Sequence, residues 1–135
     1  MKIHTRKNAV PIYHRKPTRV PLHFRDEVKA GLESLVKKGI LRRVPPGRPP
    51  DTCCSRMVIQ PKKNGKARRT VDLSGLSRAG THESYHTRSA AEIAITVPGG
   101  KLKTTLDCVD GYHKVELAKE DRHKTTFATE WGLFE

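Results

Sequence analysis

The chain has 135 residues, room for one modest domain around a single core. Its 27 Lys and Arg outnumber 14 Asp and Glu, a formal charge of +13, and aromatics make up only 5%. Such a charge predicts attraction to polyanions, nucleic acid being the commonest, while a solvated basic surface without a partner is the alternative reading.

No apolar run approaches the ~20 residues that span a bilayer, so no membrane role is expected. The amino terminus is basic without an apolar core segment, which argues against a secretory signal. Cys53, Cys54 and Cys108 are an odd number, two of them adjacent, and suit a reduced intracellular compartment better than a disulfide framework.

Residues 1–25 carry seven Lys or Arg, no acid, and Pro11, Pro17 and Pro21. They read as a basic extended arm, assigned to residues 1–24. Phe24, Val28, Leu32, Leu35 and Val36 then recur at helical spacing. With Asp26 and Glu27 in the first turn, Lys37 and Lys38 in the last and Gly39 beyond, they predict a helix over Arg25 to Lys38. Ile40-Leu41 is a short strand candidate, and PPGRPP at 45–50 an exposed loop.

The runs 55–60 and 68–73 flank Asn64-Gly65, the pattern of a β-hairpin on a type I′ turn. Its tip carries Lys62, Lys63, Lys66, Arg68 and Arg69. Residues 74–88 read as polar and irregular, 89–95 as a short helix ending at Pro98-Gly99-Gly100, and 103–117 as strand, tight turn at Asp110-Gly111, strand. The segment 125–135 reads as the start of another hairpin, interrupted by the end of the sequence. The order implies an α+β domain.

Three constellations carry chemistry. Asp107 and Asp110 flank an apolar run at a tight turn; hard cations such as Mg²⁺ take carboxylate oxygens, yet spacing alone fits turn formers better. The basic hairpin suits a triphosphate, Arg by planar bidentate contacts and Lys as a point charge; a charged edge that resists aggregation is an equal reading. His82-Glu83-Ser84-Tyr85-His86 matches the zinc-peptidase helix signature, but no apolar stripe supports a helix there.

Four segments, in order, resemble the reverse transcriptase of gypsy-type LTR retrotransposons: VPLHFRDEVKAGLESLVKKGIL at 20–41, CCSRMVIQPKKNGKARRTVDLSGLS at 53–77, TTLDCVDGYHKVEL at 104–117 and DRHKTTFATEWGLFE at 121–135. The resemblance implies the fingers and partial palm of a right-hand polymerase: the arm 1–24, a fingers-like region 25–100 with the hairpin 55–73, and the start of the palm at 101–135. It implies RNA-directed DNA synthesis with two-metal transfer to a primer 3′-hydroxyl, Mg²⁺ as cofactor and Mn²⁺ as an alternative.

By that resemblance Asp107 is the catalytic, metal-binding aspartate and Cys108 lends its backbone carbonyl to the metal. Lys62, Lys63 and Arg68 contact the dNTP phosphates, with Asp110 and Gly111 amides beside the triphosphate and Tyr112 under the deoxyribose. The implied partners are an RNA or DNA template-primer, dNTPs and the rest of a Pol polyprotein (remaining palm, thumb, RNase H and integrase). Cys53, Ser77 and Lys114 depart from the family's Trp, Asn and Gln or Ser, and the aromatic-x-Asp-Asp motif is absent from these residues. The chain is therefore expected to be inactive alone. A non-catalytic nucleic-acid-binding remnant is the alternative, and a zinc peptidase a distant third.

Overall fold

Phe24, Val28 and Leu32 bury one stripe of a helix and seed the core that organises the rest. The computed structural model describes residues 1–11, 13–14, 16–45, 47, 53–81, 86–97, 99 and 102–135. It divides into two compact units, residues 1–81 with 116–135, and residues 82–115. Among the described residues no helix is long and apolar enough to cross a membrane.

In the larger unit, helix α1 spans Arg25–Lys37, led in by a 3₁₀ turn at Leu22–Phe24. The apolar spacing put the helix in the right place. It ends as the sequence predicts: Gly39 takes φ +70°, its N–H bonds the Val36 carbonyl at 3.0 Å, and Ile40 N–H reaches back to Leu35 at 3.0 Å. These two bonds satisfy the last carbonyls, and glycine adopts the left-handed conformation without a Cβ penalty.

Strands β1 (Ser55–Pro61) and β2 (Ala67–Asp72) form the expected antiparallel hairpin, with Met57 opposite Val71 and Ile59 opposite Arg69. Strands β3 (Phe127–Thr129) and β4 (Gly132–Phe134) form the second hairpin. β3 runs parallel to β1, giving one sheet of order β2-β1-β3-β4. Met57, Phe127 and Phe134 meet Val28 and Leu32 across the helix–sheet interface, and the two Phe rings stack 5.8 Å apart.

Several expectations are corrected. The strand candidate at Ile40-Leu41 is not a strand; pairing occurs beyond it, where Arg42 and Glu135 exchange backbone bonds of 2.8 and 2.9 Å. The turn between β1 and β2 is not type I′: Gly65 alone takes positive φ, +75°, while Asn64 does not. Gly65 N–H bonds Lys62 carbonyl at 3.0 Å, and Lys62 N–H bonds Lys66 carbonyl at 2.8 Å. A three-residue loop closing on a left-handed glycine follows the strand twist equally well.

The stretch after β2 is not wholly irregular, because Ser74–Ala79 forms helix α2. The Asp72 carboxylate starts it by accepting the Ser74 N–H at 3.1 Å and hydroxyl at 2.5 Å. Those bonds hold the Asp72 carboxyl below the usual carboxylate range. Most of the proline-rich loop at 45–50 lies outside the described residues.

The arm is stitched to this unit. Arg6 N–H bonds Ala79 carbonyl and His14 N–H bonds Cys54 carbonyl, each at 3.0 Å. Farther along, Val20 is buried and its N–H bonds Glu130 Oε1 at 2.9 Å, while Arg25 Nε lies 2.9 Å from the other oxygen.

In the smaller unit, helix α3 spans Ala90–Thr96, as its sequence predicts. Ser89 Oγ accepts Glu92 N–H at 3.3 Å and the Glu92 carboxylate accepts Ser89 N–H at 2.7 Å, a reciprocal cap that satisfies two free donors. The strands expected on either side of Asp110-Gly111 do not form within it. Residues 102–108 are irregular and Gly111–Lys114 is a 3₁₀ turn. A strand needs a neighbour for its N–H and C=O groups, and the described residues of this unit supply none.

Candidate functional site

The candidate residues fall into two groups, one in each compact unit. In the larger unit they cluster on the β1–β2 hairpin. The pleat sends alternate side chains to opposite faces. Ala67, Arg69 and Val71 therefore share the face that meets α1, and Arg68 lies on the other face opposite Gln60. Lys62, Lys63 and Lys66 occupy the loop. Lys62, Lys63, Lys66 and Arg68 are all exposed, and none has an acidic partner among the described residues.

The hairpin is seated on α1 at two points. Ala67 N–H lies 3.2 and 3.3 Å from the two carboxylate oxygens of Glu27. One helical turn on, Gly31 leaves room for the Arg69 guanidinium: a Cβ there would stand 1.4 Å from Arg69 Nη1. In the sequence Glu27 reads only as a first-turn acid of α1, and neither it nor Gly31 points to the hairpin. Their separation of four residues on a helix was the only signal, and it points to no partner.

In the smaller unit, Asp107, Cys108, Asp110, Gly111 and Tyr112 lie along the short irregular stretch, turn and 3₁₀ turn from 107 to 112. Asp110 holds φ +51°, ψ +46°, a left-handed conformation that Asp tolerates, and its carbonyl accepts His113 N–H at 2.8 Å. The predicted tight turn is thus present, without its strands. Asp107 is exposed and makes no hydrogen bond or ion pair among the described residues. Tyr112 is 98% exposed, Leu106 90% and Val109 80%.

Divalent-metal chemistry needs several hard oxygen ligands. Asp107 offers one carboxylate and Cys108 one carbonyl, but no group of three or more His, Cys, Asp or Glu is placed to hold an ion among the described residues. The described residues do not by themselves make up a two-metal site. Of the zinc-peptidase signature, residues 82–85 lie outside the described residues, and His86 is exposed.

No family model matches the chain. Among curated relatives, it is 31% identical over 130 residues to the retrovirus-related Pol polyprotein from transposon gypsy of Drosophila melanogaster, which covers 93% of the chain and 12% of the relative. The Pol polyprotein from transposon opus of the same fly is 27% identical over the full chain and 14% of its own length.

The chain is a homologue of retrotransposon Pol polyproteins.

It spans about an eighth of the length of these two relatives. Among solved structures it is similar to the Prototype Foamy Virus protease-reverse transcriptase, with a TM-score of 0.77, 18% identity, and coverage of 98% of this chain and 17% of that one. A foamy viral protease-reverse transcriptase in complex with double-stranded DNA gives a TM-score of 0.72 at 17% identity over 96% and 21% of the two chains. The α+β fold expected from the sequence is therefore shared with the foamy viral protease-reverse transcriptase.

Proposed function

We propose that this chain supplies the phosphate-contacting hairpin and one metal-binding aspartate of an RNA-directed DNA polymerase. The observation that carries the reading is the β1–β2 tip, where Lys62, Lys63, Lys66 and Arg68 are exposed without acidic partners. A rigid cluster of unpaired cations is suited to a triphosphate or a nucleic-acid backbone. The foamy viral enzyme similar in fold was solved with double-stranded DNA, which supports nucleic acid as the partner class.

In this reading Lys62, Lys63 and Arg68 hold the β- and γ-phosphates of an incoming dNTP. Asp110 and Gly111 lend backbone amides, and Tyr112 packs under the sugar and rejects a ribose 2′-hydroxyl. Asp107, with the Cys108 carbonyl, is one ligand of Mg²⁺ or Mn²⁺, which when bound would polarise phosphoryl oxygens. Template-primer and the remainder of a Pol polyprotein complete the assembly. Residues 25–100 correspond to fingers and 101–135 to the start of the palm.

The test is primer extension by gypsy Pol in which this segment replaces its homologous one. Asp107→Asn is expected to abolish extension, and Tyr112→Val to admit ribonucleotides. Near-normal extension by the Asn variant would remove Asp107 from the metal role.

A second reading, nucleic-acid binding without catalysis, is favoured by one observation: no strand or hydrogen bond fixes Asp107 among the described residues. Retained nucleic-acid binding with no extension by the exchanged segment would select it.

A further inference from the structure

We propose that Glu27, remote in sequence from the basic hairpin, is a positioning residue that fixes the hairpin tip for phosphate binding. The inference rests on the reading of the tip as a phosphate-contacting element and adds a residue to it. β2 is the edge strand of the sheet, with β1 on its other side. Ala67 opens β2 opposite Pro61, directly after the cationic loop. Its N–H meets both oxygens of the Glu27 carboxylate, at 3.2 and 3.3 Å, forty residues back in the chain.

That bond ties the base of the tip to a helix whose own Val28 and Leu32 are locked in the core. The Arg69 side chain seats against α1 at Gly31, one turn beyond Glu27, and marks the same contact independently. Holding several cations at a fixed angle removes ordering entropy that binding would otherwise cost. An acid beside a cationic tip otherwise has no advantage for an anion-binding site, because its charge weakens attraction to the ligand.

Charge and position predict opposite signs, which makes the proposal testable. The probe is inorganic tripolyphosphate, titrated into the 135-residue chain by calorimetry at low salt. Glu27→Ala removes a negative charge, so charge alone predicts tighter binding. Positioning predicts affinity weaker by about three- to tenfold, the effect of one lost hydrogen bond. Glu27→Gln keeps an oxygen acceptor without the charge, and wild-type or tighter binding is expected.

Amide exchange reads the contact directly. Ala67 N–H should exchange faster in Glu27→Ala, and also in Gly31→Ala, whose new Cβ must displace the Arg69 guanidinium. Ser55 N–H, bonded to the Thr126 carbonyl at 2.8 Å, should stay protected in both and shows that the fold is intact. Tripolyphosphate binding by Glu27→Ala equal to or tighter than wild type would overturn the proposal. So would unchanged Ala67 exchange, or Glu27→Gln falling as far as Glu27→Ala. A Lys62→Ala/Lys63→Ala/Arg68→Ala variant separates the two levels: unchanged affinity there overturns the reading of the tip itself.

Discussion

Lys124 Nζ lies 2.7 Å from Asp121 Oδ1, and the same ammonium donates to the Ile3 carbonyl at 2.8 Å. Asp121 Oδ2 accepts Ile3 N–H at 2.9 Å, so two side chains clamp the arm to the 3₁₀ segment Lys119–Thr125. Asp121 is buried, and the Lys124 ammonium, then the Ile3 N–H, hold its carboxyl below the usual range.

A carboxyl depressed in the folded state stabilises the fold fully above its unfolded value, about 3.9, and loses that contribution as pH falls through the folded value below it. Asp121→Asn is therefore expected to lower the melting temperature at neutral pH and to narrow its gap to wild type on acidification below about pH 4. An Asn variant whose deficit is the same at pH 7 and pH 3 would contradict the clamp.

The core makes a separate claim. Met57 is 1% exposed and packs with Phe127, Phe134 and Val28. Met57→Ala should cost about 2–5 kcal/mol by urea denaturation, through lost burial plus a cavity. A loss below about 1 kcal/mol would show that the helix–sheet interface is not packed as described.

Gly65 closes the hairpin loop at φ +75°. Gly65→Ala should destabilise by about 1–2 kcal/mol, and Gly65→Asn by less, since Asn tolerates the left-handed region. Equal effects of the two substitutions would count against that loop geometry.

In the smaller unit, Ser89→Ala removes one half of the reciprocal cap on α3. It should cost the helix about 0.5–2 kcal/mol, seen as faster amide exchange at Glu92. Unchanged exchange there would mean that the cap does not hold the helix.

Local signals carried much of the fold. Apolar spacing and Gly39 placed α1, Asn64-Gly65 placed the first hairpin, and the run 89–95 before the Pro98-Gly99-Gly100 break placed α3. Signals that depend on distant partners did not appear. The segment 103–117 read as strand, turn, strand, yet its Leu106 and Val109 side chains are 90% and 80% exposed. Strand pattern is a statement about a neighbour, and the sequence does not name one. α2 was missed because six residues are too few for a helical period and its start rests on Asp72 rather than on apolar spacing. The basic tip was legible in the sequence, whereas its support by Glu27 spans forty residues and was not.

The central claim, a hairpin that contacts phosphates, is tested most directly by the salt dependence of binding to a short nucleic-acid duplex. The wild-type chain should lose affinity steeply and linearly on a log–log plot. The Lys62→Ala/Lys63→Ala/Arg68→Ala variant should bind more weakly, with a slope shallower by about 2.7 on double-stranded DNA if all three side chains neutralise phosphates. An unchanged slope and affinity in that variant would contradict the account and move the phosphate contact elsewhere on this basic chain.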